Sequence, residues 1–189
     1  MQYTTHYNNI ESLKHHLDTF KQTKKLPAPL LILAPLAGFS DVPFRKVVKD
    51  FGVDITVSEM ISSHALVYEN EKTLKMALKS PNETPFSLQI SGSKEEILKR
   101  AVEKINELSW VDIIDFNCGC PAPKVANHGN GSALLKDLDK FVSLLQIIRK
   151  YGNKQVYSVK VRLGFDKKIP LDLAEAINES GVDYCVVHA

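Results

Sequence analysis

Short apolar runs alternate with amphipathic stretches along most of the chain. Turn residues bound each run, and the apolar residues of each following stretch recur at helical spacing. From Leu30 onward the runs are LLILAPL, ITVSEM, FSLQI, VDIIDFN, YSVKVRL and DYCVVHA. Strands that alternate with helices predict βα units, and therefore a parallel sheet with right-handed crossovers.

Start and stop residues support two of the predicted helices. Ser40 and Asp41 precede one helix, which Gly52 ends. Ser93 and Glu96 have the spacing of a capping box before a second helix, ILKRAVEKI. The first of these helices carries an apolar stripe made of Phe44, Val47, Val48 and Phe51.

A further helix is predicted before the first strand. Asn9 is its expected N-cap, and the apolar residues that follow at helical spacing are Ile10, Leu13, Leu17 and Phe20. The segment LPAP at 26–29 ends this helix, because two prolines restrict the residues before them to extended conformations. We therefore predict a helical extension over residues 1–28 and a main domain over residues 29–189.

Two architectures contain βα units of this kind, the doubly wound sheet and the closed barrel. A dinucleotide-binding sheet should show G-x-G-x-x-G after its first strand, whereas APLAGFSD follows here with one glycine. The pattern therefore favours an α/β fold of the (β/α)8 TIM-barrel type. Polar residues at the ends of barrel strands share one mouth, and in this chain they are Glu59, Gln89, Asn117, Lys160, Arg162 and His188.

The number of strands is too small for a complete barrel, which needs eight strands and typically about 250 residues. The chain ends on VVHA, at the close of the sixth run. We therefore expect a barrel truncated after its sixth strand, as the N-terminal portion of a longer protein. Its open edges would favour self-association.

Composition and charge exclude several classes of protein. Lys and Arg number 24 against 22 for Asp and Glu, so no strongly basic surface is indicated by the balance alone. The first 25 residues lack the apolar run of a signal peptide, and no later stretch is long and apolar enough for a membrane span. Three cysteines are typical of a reducing compartment rather than of a disulfide framework, so we predict a cytoplasmic protein without membrane contact.

The stretch DFNCGCPAPKV poses the main chemical question, because Cys118 and Cys120 flank a single glycine. A structural zinc site needs four ligands, and only Cys185 remains, so we predict no metal. A disulfide between the two would close a very small ring of poor geometry. A reactive Cys120 above the barrel mouth, with Cys118 buried at the strand end, is favoured, although two small buried side chains remain the simpler alternative.

Seven motifs occur in an order that resembles one known family. They are APLAGFSDVPFR, TVSEM, LQISGS, IDFNCGCPAPKV, GSALL, VKVRLG and VVHA, and they span Leu31 to Ala189. In this order they resemble the tRNA-dihydrouridine synthases, flavoenzymes that reduce the 5,6 double bond of uridine in tRNA. The chain departs from the family at Leu36, where methionine is usual, and in lacking the rest of the barrel and the later tRNA-binding helical domain.

The resemblance implies a role for each residue at the mouth. It implies that FMN delivers hydride to C6 of the uracil ring, that Cys120 donates a proton to C5, and that NADPH is the reductant. Asn117 and Arg162 would bind the uracil edge. Lys160 would face the anionic edge of reduced flavin, and Arg162, two residues along the strand, would face the same side. The implied FMN contacts are Pro35, Leu36, Ala37, Gln89, Lys160 and His188.

Other interpretations stay open for parts of this assignment. Another FMN-dependent barrel oxidoreductase acting on a small molecule, or a noncatalytic tRNA-binding protein, would share several of these features. Glu59 is expected to order its loop through hydrogen bonds rather than to act in catalysis, and His64 and His128 are expected at the surface. Because the loops that usually hold the cofactor phosphate follow strands seven and eight, we expect the 189-residue chain to hold FMN poorly.

Overall fold

The computed structural model describes residues 7–25 and 28–188 of the chain, and in this part helices alternate with parallel strands. The strands are β1 (Ile32–Leu33), β2 (Ile55–Val57), β3 (Ile61–Ser62), β4 (Phe86–Ser91), β5 (Ile113–Cys118), β6 (Val156–Arg162) and β7 (Tyr184–His188). The helices are α1 (Ile10–Thr23), α2 (Val42–Asp50), α3 (Ser63–Val67), α4 (Glu71–Met76), α5 (Glu95–Glu107), α6 (Pro123–Ala126), α7 (Leu138–Tyr151) and α8 (Pro170–Ser180), with a 3₁₀ segment at Gly131–Lys136.

The strands form one parallel sheet in the order β1-β2-β4-β5-β6-β7, with β3 also paired to β4. All pairs are parallel, and each successive strand along this order adds to the same edge of the sheet. This is the arrangement of six successive parallel strands of a TIM barrel, so the predicted fold class is confirmed. Within the described residues, β1 and β7 each pair on one side only.

The second predicted strand, ITVSEM, is interrupted after β2, and the chain resumes a strand at β3, so the described sheet has seven strands instead of six. Val57 lies opposite Ser87, but Ile61 lies opposite Ile90, so the β2–β3 side uses four steps where β4 uses three. The extra residue is a bulge of the kind that redirects side chains at the rim of a barrel. It lies within residues 58–60, beside the mouth.

The core lies between the sheet and the helices that follow its strands. Its largest fully buried side chains on the strands and helices include Phe86, Phe116 and Phe141. Strands β4 and β5 are buried along their whole length. This is the expected burial for a parallel sheet that is covered on both faces. The central strands are therefore a rigid support for side chains at their ends.

Helix α1 covers the N-terminal ends of the strands. Asn9 caps it by accepting a hydrogen bond from the Ser12 N–H, as predicted. Leu13 and Leu17 are buried in a cluster with the first residues of three strands, Ile55, Ile113 and Val156. The proposed division near residue 28 stays a prediction, because residues 1–6 and 26–27 lie outside the described part of the chain.

Helix α2 lies where the sequence predicts a helix, with Asp41 as its N-cap, but it presents its apolar stripe to solvent. Phe44, Val47 and Phe51 are exposed, whereas Arg45 and Lys49 are buried. The polar side turns inward because Arg45 finds a full set of partners there.

Arg45 joins α2 to the segment before β4. Its Nε donates to Glu83 at 2.7 Å, and its two terminal nitrogens donate to the carbonyls of Ser40 (2.8 Å) and Leu78 (2.7 Å). Glu83 also accepts from the Ser80 N–H at 2.6 Å. The guanidinium lies over the Phe86 ring, 5.1 Å from its centroid. A buried charge pair with this many hydrogen bonds is costly to break.

The capping box predicted at Ser93 and Glu96 is wrong. Helix α5 begins at Glu95, its N-cap is Lys94, and no side chain caps it. The Ser93 hydroxyl instead donates to the His128 carbonyl at 3.1 Å. The hydroxyl therefore ties the loop after β4 to the loop after β5, and both loops border the mouth.

Candidate active site

A cavity of about 200 Å³ opens at the C-terminal ends of the strands. This is the end at which parallel barrels place their chemistry. The residues that line it come from the loops after β1, β2 and β5 and from the strands β4 to β7. They are Pro35, Ala37, Met60, Gln89, Asn117, Gly119, Cys120, Pro121, Lys160, Arg162 and His188.

Eight of the nine residues predicted from the sequence line this cavity, and Leu36 does not. Leu36 lies between two lining residues, but its side chain is half exposed. Its backbone is held by Ser40, whose hydroxyl accepts from the Leu36 N–H at 2.8 Å. Leu36 as a whole is therefore not part of the cavity wall, and its contact with FMN stays a prediction.

The two cysteines of the CGC motif have different environments. Cys118 ends β5 and is buried, and burial, followed by the nearby Asp115 and Cys185, raises the pKa of its thiol. Cys120 is only partly buried and lines the cavity. The predicted burial of Cys118 is confirmed, and Cys120 is the thiol of this motif that a ligand in the cavity could reach.

Asn117 holds the backbone at Cys120. Its side-chain oxygen accepts from the N–H groups of Gly119 (3.2 Å) and Cys120 (3.0 Å). Its amide nitrogen donates to the side-chain oxygen of Gln89 at 2.9 Å. Asn117 thus fixes the turn that follows β5 and connects it to β4.

Lys160 and Arg162 share one side of β6, since Val161 between them is fully buried on the other side. The Arg162 Nε donates to the Gly119 carbonyl at 2.8 Å, so this arginine also supports the cysteine turn. The Lys160 ammonium makes no hydrogen bond or ion pair with the described residues. Its charge acts on Asp115 but it has no direct partner among those residues, so it can receive an anionic group that enters the cavity.

Asp115 lies below the cavity and was missed by the sequence analysis. Its carboxylate accepts from Gln89 and from the Ser158 hydroxyl, both at 2.6 Å. Burial raises the pKa of Asp115, and the hydrogen bonds from Gln89 and Ser158 and the charge of Lys160 oppose that shift. The only sequence sign of its position is the two-residue spacing from Asn117, which places both on one face of β5.

Met60 is a second lining residue that sequence reasoning missed. It lies in the interrupted part of the second strand, next to Glu59. Glu59 accepts a hydrogen bond from the Gly38 N–H, which confirms the predicted loop-ordering contact. His64 and His128 are exposed, as predicted.

A larger cavity of about 790 Å³ adjoins the first and shares Ala37, Met60 and Cys120 with it. Cys120 therefore lies between the two. Apolar side chains, among them Met76, Ile97 and Val125, form part of its wall. Basic or imidazole groups also line it, namely His64, Lys94, Lys124 and His128.

Metal-binding clusters and membrane-spanning helices are both absent from the described part of the chain. No three His, Cys, Asp or Glu side chains in residues 7–25 and 28–188 come together as a group that could hold a metal ion. No helix in the same ranges has both the length and the apolar character needed to cross a membrane.

The family model and the individual relatives that match this chain all belong to one family. The model of the family described as dihydrouridine synthase matches residues 32–189. A "Probable tRNA-dihydrouridine synthase" of Helicobacter pylori (strain J99) is 66% identical over 158 residues, which are 84% of this chain and 48% of that protein. A protein of the same name from Rickettsia bellii is 37% identical over 162 residues, 84% of this chain and 49% of that protein.

A third relative carries a more specific name. The "tRNA-dihydrouridine synthase B" of Pseudomonas syringae pv. tomato is 35% identical over 160 residues, 84% of this chain and 47% of that protein. The chain thus spans about half the length of the curated relatives that it matches.

Proposed function

Because the chain belongs to the dihydrouridine synthase family, we propose that it forms the catalytic half-barrel of an FMN-dependent enzyme that reduces the 5,6 double bond of uridine in tRNA. The observation that carries this proposal is the cavity at the strand ends, where the Cys120 thiol, the Asn117 amide and the cations Lys160 and Arg162 meet. A proton donor, a neutral hydrogen-bonding group and fixed positive charge are the groups that such a reduction needs.

The residues present fit FMN. Lys160 offers an ammonium without a partner among the described residues, which suits the anionic edge of a reduced flavin. Gln89 uses one amide hydrogen and one lone pair of its side-chain oxygen within the protein, so it keeps one of each for a ring. Pro35 and Ala37 supply apolar contacts, with Leu36 between them in sequence, and His188 also lines the cavity.

When bound, reduced FMN supplies the hydride for C6 of the uracil ring. Lys160 would stabilise the negative charge on the cofactor, because its cation already lines the cavity before the reaction. NADPH is the proposed reductant.

Cys120 acts as the general acid that protonates C5. It must be a neutral thiol to do so, unlike a thiolate nucleophile. Asn117 and Arg162 orient the uracil ring. Arg162 can do this while its Nε holds Gly119, because its two terminal nitrogens are not used by that contact.

The larger cavity is the proposed entry for the RNA around the target uridine. Lys94 and Lys124 are exposed at its border and form no ion pair with the described residues, so they are available to phosphates. Its apolar wall suits the face of a nucleobase. A tRNA substrate also implies a cytoplasmic location.

The proposal is tested on the protein at saturating FMN, because the 189-residue chain is expected to hold the cofactor poorly. Under anaerobic conditions the flavin is reduced and then mixed with tRNA that lacks dihydrouridine. We expect flavin reoxidation and the appearance of dihydrouridine in equal amounts, and no reoxidation by free orotate or by enones. Reoxidation by the small molecules but not by tRNA would overturn the proposed substrate, and a protein that binds tRNA but never FMN would overturn the catalytic role.

A further inference from the structure

The direction of the hydrogen bonds below Cys120 is fixed by its backbone. The N–H groups of Gly119 and Cys120 can only donate, so the group of Asn117 that faces them must be its oxygen. The amide nitrogen of Asn117 therefore points the other way, toward Gln89. That nitrogen can only donate, so Gln89 must present its oxygen to Asn117.

The same logic reaches Asp115. With its oxygen turned toward Asn117, Gln89 directs its amide nitrogen to position 115, where only an acceptor fits. Asp115 meets this need with one carboxylate oxygen and accepts the Ser158 hydroxyl with the other. One chain of donors and acceptors thus runs from Ser158 through Asp115, Gln89 and Asn117 to the backbone of Cys120.

We propose that Asp115 is a positioning residue that anchors both amides in the orientation required by the Cys120 backbone and thereby holds the Cys120 thiol in place at the cavity. The catalytic consequence rests on the proposed function, whereas the geometric part does not.

Because its members are buried, this series of hydrogen bonds is sensitive to the chemical type of residue 115. Asp115 is 3% exposed, Gln89 1% and Asn117 7%, so water cannot replace a lost partner. An amide at position 115 can turn either its oxygen or its nitrogen toward Gln89. Its oxygen would be a weaker acceptor than a carboxylate, and its nitrogen would set a buried donor against the Gln89 donor, so in either case Gln89 and Asn117 are held less firmly.

The test measures the alkylation rate of Cys120 by iodoacetamide in the 189-residue chain without cofactor, read by mass spectrometry of the peptide. We expect Asp115→Asn to raise this rate at least threefold at constant pH, because the turn at Cys120 is held less firmly. Gln89→Met removes the middle member of this series of hydrogen bonds and is expected to give the same increase. The double variant of these two should not exceed either single variant.

Exchanging the donor and the acceptor between positions 115 and 89 tests whether the direction of this hydrogen bond matters, and not only the stability of the fold. In the double variant Asp115→Asn with Gln89→Glu, the new amide at position 115 donates to the new carboxylate at position 89, which still accepts from Asn117. We expect its Cys120 alkylation rate to return to within twofold of the unsubstituted chain. In the single variant Gln89→Glu the new carboxylate faces that of Asp115, so this variant should show the fastest Cys120 alkylation of the set.

A matched control is Asp54→Asn, which changes an equally buried carboxyl at the N-terminal end of β2. It is expected to lower the urea midpoint without changing Cys120 alkylation. The proposal is overturned if Asp115→Asn leaves alkylation within twofold, if Asp54→Asn raises it equally, or if the exchange between positions 115 and 89 does not restore it.

A second readout addresses catalysis in the FMN-loaded enzyme. Asp115→Asn should lower kcat for tRNA reduction about tenfold with a smaller change in KM, because Asn117 is one of several substrate contacts whereas the Cys120 thiol is the proposed proton donor. Normal kcat together with faster alkylation would overturn the catalytic consequence. Because alkylation needs neither FMN nor tRNA, the geometric part is decided even if the enzyme proves to have another substrate.

Discussion

Replacing Glu83 by Gln tests whether the inverted orientation of α2 depends on its buried ion pair. The Arg45 and Glu83 side chains are 1% and 0% exposed, and their 2.7 Å contact has no solvent to screen it. Glu83→Gln keeps the shape but leaves the guanidinium without its counter-charge. Breaking a buried pair in this way costs about 3 to 5 kcal/mol.

That cost is a large share of the stability of a domain, which is about 5 to 15 kcal/mol. With a urea m-value of about 2 kcal/mol/M, the midpoint should fall by about 1.5 to 2.5 M. Urea titration followed by circular dichroism measures this directly. The double variant Glu83→Gln with Arg45→Met should lose less than the sum of the two single variants, because it removes both charges of the pair.

The control is Glu71→Gln, whose ion pair with Lys75 lies on the surface and is expected to leave the urea midpoint unchanged. A midpoint shift below 0.5 M for Glu83→Gln, on the order of 1 kcal/mol by the same m-value, would refute the view that the pair holds α2. So would strict additivity in the double variant.

Three further predictions concern the site and the N-terminal helix. Cys120→Ala should leave FMN binding unchanged and lower turnover about a hundredfold, measured by dihydrouridine formation, because a positioned acid is lost. Lys160→Met should weaken FMN retention and slow its reduction, measured by fluorescence titration and stopped flow. Burial lowers the pKa of His16 below its ordinary 6.5, with Asp54 opposing, so the unfolded chain takes up the proton first as pH falls. Stability should therefore be full above pH 6.5 and decrease below it, measured as the urea midpoint from pH 7.5 to 5.

Neighbouring residues supply matched controls for these predictions. Cys118→Ala should reduce turnover far less than Cys120→Ala. Equal losses in the two variants would contradict the assignment of Cys120 as the general acid. Arg162→Met should spare FMN binding and impair tRNA turnover. Loss of FMN in this variant would show that Lys160 and Arg162 do not have separate roles. His15→Gln, at an exposed position of α1, should keep the pH dependence, whereas His16→Gln should abolish it.

The positions of the strands were predictable because burial of a parallel sheet leaves continuous apolar runs. Spacing along a strand was equally informative, since it placed Lys160 and Arg162 on one side without knowledge of any neighbour. The approximate helix starts followed from local polar residues, as at Asp41, where the cap lies three residues from its partner.

Features that depend on a neighbouring strand were not predictable. The bulge at residues 58–60 exists only as a difference of register with β4, and no residue type in VSEM requires it. The inward turn of Arg45 depends on Glu83, which is 38 positions away. Ser93 has the spacing of a cap but donates to His128, because a carbonyl from another loop competes successfully for its hydroxyl.

The amide of Asn117 has little hydrogen-bonding capacity left for a ligand. Its oxygen already accepts two N–H groups, from Gly119 and Cys120, and one of its two amide hydrogens is given to Gln89. A single hydrogen remains. A pyrimidine that faces it with a 4-oxo group is complementary, whereas a 4-amino group would set donor against donor. Discrimination between uracil and cytosine would then need no dedicated residue, because the contacts that hold the cysteine turn already decide which edge Asn117 can bind.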